Sequence, residues 1–321
     1  MLTLSFYLAF AVLILAVTGC ANLNAEKRAP QLGQLINIDG TDMHVLTKGV
    51  RDSEKSPVVL IHGASVNLRD MDIALGERLA KDRFVVMVDR PGRGYSQRPK
   101  NGYELDKQAA LIRGVVQSLE VEKPVVVGQS FGGAVALSYA LQFQDEMAGL
   151  VLLAPVSHEW PGGVDWHNHV SETPVAGFFF RRLVLPVYAT FAAKGAVKSS
   201  FAPNDPPEDY YDRAGVPLLF RAGDFKSNAS DIYHLEDQIR GQQDRYNELK
   251  LPVVIAAGEN DRAVYPEIHS KQLEAEIDGA RLTLIPETGH TLHHADPELM
   301  VRLIDDVTQP VEVVAASTVA D

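Results

Sequence analysis

One serine has the surroundings of a nucleophile: Ser130, in the stretch Gly128-Gln129-Ser130-Phe131-Gly132. A serine hydroxyl attacks poorly at neutral pH, so it needs a base for its proton, and the base needs a partner that fixes its tautomer. Downstream, Asp261 follows the apolar run over 251–257, and His290 follows the run over 281–285. The chain therefore supplies nucleophile, acid and base in the order Ser130, Asp261, His290. His290 would deprotonate Ser130 as it attacks an ester carbonyl and then protonate the departing alkoxide; water, activated by the same imidazole, would release the acyl group. Glu259, two residues before Asp261, is the competing acid.

These side chains need a scaffold that brings them to one place. Val125-Val126-Val127 reads as a strand running straight into a helix that carries Ala134, Leu137, Ala140 and Leu141 on one face. Gly128 and Gly132 remove side chains that would collide at so sharp a turn, which holds the serine in a strained conformation with its hydroxyl projecting. Residues 57–61 and 84–88 are continuous apolar runs, as expected of strands covered on both faces. Residues 35–39 and 43–47 alternate around Gly40 and read as a hairpin at the sheet edge. Helical spacing covers 68–81, 106–119 and 266–277, and Asp296-Pro297-Glu298 opens a last helix with Asp296 as N-cap. Strands alternating with helices imply an open, mostly parallel sheet with helices on both faces, whose sites lie at the carboxyl ends of its strands.

The alternation stops at Pro155. From 156 to 248 the chain has few strand signals and carries breaks at Pro161-Gly162-Gly163 and Pro203-Asn204-Asp205-Pro206-Pro207. Between them lies an apolar stretch over 175–193, interrupted by Arg181-Arg182, which reads as part of an inserted helical cap over the site. Within it, Phe178-Phe179-Phe180 offers a membrane contact.

Taken together, the motifs resemble the cap-bearing, serine-nucleophile branch of the α/β-hydrolase family over roughly 34–308. The matching pieces are His62-Gly63-Ala64, Asp89-Arg90-Pro91-Gly92-Arg93-Gly94, Gly128-Gln129-Ser130-Phe131-Gly132, Gly258-Glu259-Asn260-Asp261 and Gly289-His290. The resemblance implies an α/β-hydrolase fold: a mostly parallel eight-stranded sheet with helices on both faces, formed by 35–155 and 249–307, with 156–248 as the cap. It also implies that the backbone N–H groups of Ala64 and Phe131 form an oxyanion hole, that Asp261 is the acid, and that no cofactor is used. Preorganised donors of that kind contribute about 3 kcal/mol each to transition-state stabilisation. A serine at the turn argues against the dehalogenases and epoxide hydrolases, which carry aspartate there. Carboxylic esters are the leading substrate expectation. Carbon-carbon bond hydrolases, lactonases, amidases and cofactor-free perhydrolases share the triad, and a non-catalytic binding protein on the same fold is the remote alternative.

The 321 residues, 46% hydrophobic and 22% charged, suit one large globular domain with an insertion, or two domains. A net charge of -12 without any lysine or arginine run argues against nucleic acid as a partner. At the N-terminus, Phe6 to Val17 is unbroken apolar sequence followed by Thr18-Gly19-Cys20-Ala21, with no charge before Glu26. This ending resembles a bacterial lipobox with Cys20 as the lipidated residue, although the usual preceding Lys or Arg is missing. An uncleaved anchor or a plain signal peptide over 1–20 are the alternatives. The lipid or the uncleaved anchor would tether the protein to a membrane of a bacterial cell envelope. Cys20 is the only cysteine, so no intramolecular disulfide can form. Residues 21–34 read as a polar spacer, 308–321 as a flexible tail, and oligomeric state stays open.

Other polar clusters have plainer readings. His293 and His294 could join Asp296 around a metal, but consecutive histidines at a helix start are more often solvated or supporting groups, and the expectation is no metal. Asp165-Trp166-His167-Asn168-His169 reads as a polar loop, His62 as structural, and 89–96 as a rigid turn beneath the site. The glycosylation pattern Asn228-Ala229-Ser230 carries little weight in an exported bacterial protein.

Overall fold

The computed structural model describes residues 18–308. Its centre is an eight-stranded sheet built from β1 (Gln34–Ile38), β2 (Thr41–Gly49), β3 (Val58–Ile61), β4 (Phe84–Val88), β5 (Val125–Gln129), β6 (Gly149–Leu153), β7 (Val253–Gly258) and β8 (Arg281–Ile285). The strand order is β1-β2-β4-β3-β5-β6-β7-β8. The hairpin β1-β2 is the antiparallel edge, β2 pairs antiparallel with β4, and every pairing from β4 to β8 is parallel. This is the α/β-hydrolase architecture expected from the sequence.

The continuous apolar runs have their physical reason in this arrangement. Every residue of β3, β4, β5, β6 and β7 is buried, and alternate residues feed opposite faces. Val59, Ile61, Val86, Val126, Leu150 and Ile255 pack on one side with α1 (Leu105–Ser118) and α2 (Phe131–Phe143). Val58, Leu60, Met87, Val127, Val151 and Val254 pack on the other with the helical residues Leu68–Met71 and with the last helix described below. The helical spacing over 68–81 is realised with a π turn at Asp72–Gly76, and of the expected helix over 266–277 only Ser270–Glu276 is helical.

The inserted region is helical. It contains Trp166–Glu172, Pro174–Phe179, α3 (Leu185–Phe201) and α4 (Ala222–Gln242), with short turns at Tyr210–Arg213 and Val216–Leu219. The second half of α4 belongs to the core, since Leu235 and Ile239 are buried in the larger cluster and Gln242 donates to the Ala134 carbonyl. After β8 the chain forms Leu292–Ala295 and then α5 (Pro297–Asp306), whose Asp296 N-cap accepts from the Leu299 N–H as its sequence position predicted.

The N-terminal segment differs from the expected spacer. Residues 18–28 are helical, and Ala25 and Ala29 are buried against Leu218. Glu26 pairs with Arg221, Arg28 with Asp212, and the Tyr95 hydroxyl donates to the Ala29 carbonyl. Small apolar residues in the spacing Ala25 and Ala29 give a polar-looking helix one narrow face to bury, which composition alone does not reveal. Cys20 is exposed in this helix. The expected signal or anchor lies, except for its last residues, outside the described residues, and so does the tail beyond Thr308.

Candidate active site

Ser130 occupies the turn between β5 and α2 with φ 55 and ψ -119, a conformation that L-residues adopt only under constraint. The constraint is the surrounding backbone. A Cβ on Gly128 would lie 2.3 Å from the Gly132 carbonyl oxygen, and one on Gly132 would lie 2.3 Å from the Ile61 and 2.6 Å from the His62 carbonyl oxygens. Ser130 is held from both sides, its N–H donating to the Leu153 carbonyl and its carbonyl accepting from Gly133 and Val156. The hydroxyl stands at the N-terminus of α2, where unpaired N–H groups and the helix dipole favour negative charge.

Asp261 and His290 come together from neighbouring turns. The His290 Nδ1 lies 2.7 Å from Asp261 Oδ2, while Asp261 Oδ1 accepts from the Ala263 and Val264 N–H groups at 2.8 and 2.9 Å. Close approach of the two turns depends on Gly258, where a Cβ would be 2.3 Å from the Thr288 carbonyl oxygen. Glu259 is exposed, so the geometry pairs the histidine with Asp261. Behind the pair sits His269, which sequence reasoning missed. Burial pushes its pKa down to about 4, and its Nδ1 accepts from the Ser157 and His158 N–H groups.

The His290 Nε2 faces Gln129, whose amide nitrogen is 3.4 Å away, and Ser130 Oγ makes no hydrogen bond among the described residues. With the Nδ1 proton directed at Asp261, Nε2 carries the lone pair that a general base needs. Unliganded sites commonly leave the base-to-nucleophile contact long until substrate arrives. Gln129 is a second residue the sequence reading passed over. Its Oε1 would lie 2.2 Å from a Cβ on Gly63, so a glycine there makes room for it.

The loop after β3 is clamped by two buried side chains. His62 Nε2 accepts from the Arg90 N–H at 3.0 Å, which leaves Nδ1 to donate to the Gly63 carbonyl at 2.8 Å. Burial, reinforced by Arg90, lowers the His62 pKa to about 3, so this ring is neutral and structural, as its position suggested. Arg90 in turn donates to the His62 and Gly63 carbonyls, stacks 4.1 Å over Phe131 and pairs with the buried Asp231 of α4 at 2.8 Å. With those two carbonyls held by Arg90, the Ala64 N–H follows on the same loop, and the Phe131 N–H is the first of α2. Asn228 completes the clamp, accepting from the Ser65 N–H at 2.7 Å. That contact leaves the asparagine of the glycosylation pattern buried. Asp89, accepting from Leu68 and Tyr95 N–H groups and bonded to His44, makes 89–96 the rigid turn expected beneath the site.

A cavity of about 290 Å³ opens beside His290 and Gln129, with Ser130 and Asp261 outside its lining. Ala64, Gln129 and His290 line one end, Ala193, Val197 and Phe220 of the cap line another, and Asp70, Thr291 and His293 form a polar floor. Of the two plainer readings of His293 and His294, solvated or supporting, the structure gives the supporting one, with Asp70 rather than Asp296 as their partner. Both Nε2 atoms lie 2.8 Å from Asp70, one on each oxygen, and the Tyr210 hydroxyl donates to the same carboxylate at 2.5 Å. Burial opposes the Asp70 charge, but the two rings prevail and hold its carboxyl well below the usual range, while burial lowers His293 and raises Tyr210. These are the only described residues with a metal-like donor set, their ligand atoms lying within 4.8 Å. A metal would require each bound Nε2 to lose its proton, placing the His293 proton on Nδ1, which is buried without a partner. The hydrogen-bonded arrangement leaves only a bare lone pair there, so the cluster fits a latch better than a metal centre. In the other candidate cluster, His167 packs near Phe225 and His169 against Tyr233.

Fold and site define a hydrolase scaffold with a serine on its sharp turn, and comparison with known proteins agrees. A sequence model described as the alpha/beta hydrolase fold matches residues 56–297, and the chain belongs to the α/β-hydrolase family. It is 26% identical over 300 residues to a 2-hydroxy-6-oxo-2,4-heptadienoate hydrolase of Pseudomonas putida, covering 89% of this chain and 97% of that one. Among solved structures it is similar to an enol-lactonase from Burkholderia xenovorans, with TM-score 0.66 and 20% identity over 85% of this chain and 99% of that one. An esterase from Thermogutta terrifontis gives TM-score 0.69 and 21% identity over 86% and 100%. The two structural likenesses speak for the fold.

Proposed function

We propose that the protein is a serine hydrolase that cleaves carboxylic esters through an acyl-enzyme on Ser130, with His290 as base, Asp261 as its orienting acid, and the Ala64 and Phe131 N–H groups as oxyanion donors. The observation that carries this reading is the strained Ser130 at the head of α2, whose neighbour Gln129 lies 3.4 Å from the Nε2 of the His290 that forms the 2.7 Å pair with Asp261. Attack places the new oxyanion where helix-terminal N–H groups are free to receive it. The proton taken by His290 goes to the leaving alkoxide, and water repeats the sequence to free the acid.

The relative from Pseudomonas putida suggests a second reading, cleavage of a carbon-carbon bond in a dienoate. Such a substrate carries a carboxylate, and none of the residues lining the cavity is a lysine or arginine, whereas Asp70 is among them. An anion would meet an unfavourable field there, which favours neutral esters and lactones over dienoates. A fluorophosphonate probe should label the protein at Ser130, and Ser130→Ala and His290→Ala should each abolish turnover of p-nitrophenyl butyrate without lowering the melting temperature. Turnover that persists in Ser130→Ala would refute the mechanism. Faster cleavage of vinylogous diketone acids than of esters would transfer the assignment to carbon-carbon bonds. Cys20, the N-terminal tether and a cell-envelope location belong to the same proposal, checked by mass spectrometry of the mature N-terminus: an intact Met1 would eliminate lipidation at Cys20.

A further inference from the structure

The outer surface of the cap is unlike the rest of the molecule. Of the exposed large hydrophobic side chains among the described residues, Trp166, Val175, Phe178, Phe179, Val184, Val187, Tyr188 and Phe191 all fall in one short part of the insertion. Phe191 is 84% exposed and Val175 70%. A contiguous apolar surface of this kind marks an interaction site in a soluble fold. The continuous helical run Pro174–Phe201 has mean hydropathy 1.3 over its most apolar window, of which only 17% is buried. Its inward stripe, Gly177, Arg181, Leu185 and Ala193, recurs at helical spacing, and Ala193 and Val197 line the active-site cavity. The helix therefore roofs the site with one face and leaves its other apolar faces bare.

Charge and chain path identify what covers it. The protein carries a net charge of -12, yet residues 174–201 contain no Asp or Glu and, besides the inward-facing Arg181, carry Arg182, Lys194 and Lys198. Apolar bulk with a tryptophan, a tyrosine and cations at its margins is the composition of a helix lying in a membrane interface. A groove lined by Ala21, Ala25 and Arg28 on one side and Pro186, Thr190 and Lys194 on the other shows the N-terminal helix running alongside α3. The apolar run Phe6 to Val17 immediately precedes that helix in sequence. A bilayer that receives this run lies within reach of the cap.

We infer that the cap docks on a lipid bilayer through Trp166, Phe178, Val187 and Phe191, with α3 lying between the bilayer and the active-site cavity. This inference does not depend on which bond Ser130 attacks. The docking adds a second membrane contact to the N-terminal one, so the protein is held with its cap toward the lipid.

The chain has two tryptophans, Trp160 and Trp166, and neither is in the N-terminal segment. Trp160 packs partly buried against the core, while Trp166 is 66% exposed on the docking face. Full-length protein is bound to phosphatidylcholine/phosphatidylglycerol vesicles with and without brominated acyl chains, and tryptophan emission is compared. Docking puts Trp166 within the upper acyl region, so bromolipid should remove roughly half of the emission, and the loss should vanish in Trp166→Phe. The paired substitution Val187→Asp and Phe191→Asp, at exposed positions that no fold contact requires, should reduce the quenching while the melting temperature holds. Protein that floats with the vesicles but shows no Trp166 quenching would overturn the inference, leaving the N-terminus as sole anchor. Failure to float with vesicles would overturn it as well. A dimer in sedimentation that the paired substitution dissolves, with no quenching, would assign the face to a second copy instead.

Discussion

Asp70→Asn alters a buried carboxylate without changing its shape, and its consequences can be worked through donor by donor. Asp70 accepts from His293 Nε2, His294 Nε2 and the Tyr210 hydroxyl. Asparagine supplies one acceptor oxygen and an NH₂ group, so one ring must adopt its other tautomer to receive that NH₂. If His293 does so, its proton moves to Nδ1, a buried atom without a partner, at a cost of about 1–3 kcal/mol. The remaining bonds lose their ionised acceptor and fall from about 1.5–3 to about 0.5–1.5 kcal/mol each. The sum is about 3–6 kcal/mol, or a melting temperature lower by roughly 10 °C for a domain of this size. Activity should fall too, because His293 and His294 stand in the turn just after His290. Thermal melts and kcat for an ester substrate are measured beside Asp72→Asn, whose carboxylate pairs with the part-exposed Lys48 and should matter by less than about 1 kcal/mol. A melting temperature for Asp70→Asn no lower than that of Asp72→Asn would refute the latch.

The acid can be tested directly: Asp261→Asn should lower kcat about 10⁴-fold by inverting the His290 tautomer, whereas Glu259→Gln should leave it within a factor of two to three. Gly132→Ala must push a methyl into two carbonyl oxygens and should cost more than about 3 kcal/mol or prevent folding, while Gly195→Ala, with nothing within 4 Å, should stabilise α3 by about 0.5–1 kcal/mol, as urea midpoints would show. Acid should destabilise the protein early. His62 and His269 take protons in the unfolded chain below about 6.5 but in the native protein only near 3 and 4, so unfolding takes up protons between these values. Stability is therefore full above pH 6.5 and falls as pH drops, by on the order of 4 kcal/mol between pH 6.5 and 5. Urea midpoints that stay constant across that window would contradict the burial of neutral rings.

Much of the core was legible because its signals are local. A strand covered on both faces must be apolar throughout, so β3 to β7 stand out as runs of Val, Leu and Ile, and the glycines of the Ser130 turn announce a close backbone approach. Asp296-Pro297 marked the start of α5 for equally local reasons. What stayed hidden depends on distant partners. Whether His293 and His294 are solvated or supporting groups is decided only when Asp70 and Tyr210 arrive from elsewhere in the chain, and nothing near Gln129 signals its place beside His290. Ala25 and Ala29 bury too little surface to betray a packed helix in polar sequence. The exposure of Phe191 is equally unreadable, because an apolar helix has the same sequence whether its faces meet protein or lipid.

The ion pair between Arg90 and Asp231 divides the cap into two mechanical parts. Arg90 holds the carbonyls of the loop expected to bind the oxyanion, and Asp231 belongs to α4, so α4 moves only if that loop moves with it. The helical run Pro174–Phe201 has no buried ion pair of this kind among the described residues and leaves most of its side chains exposed, so it is the part of the cap freer to open for substrate and product. Substitutions near α4 should then register in the chemical step, and those on this run in the rates of arrival and release. A single insertion thereby separates the part of the lid that must stay still during catalysis from the part that must open between turnovers.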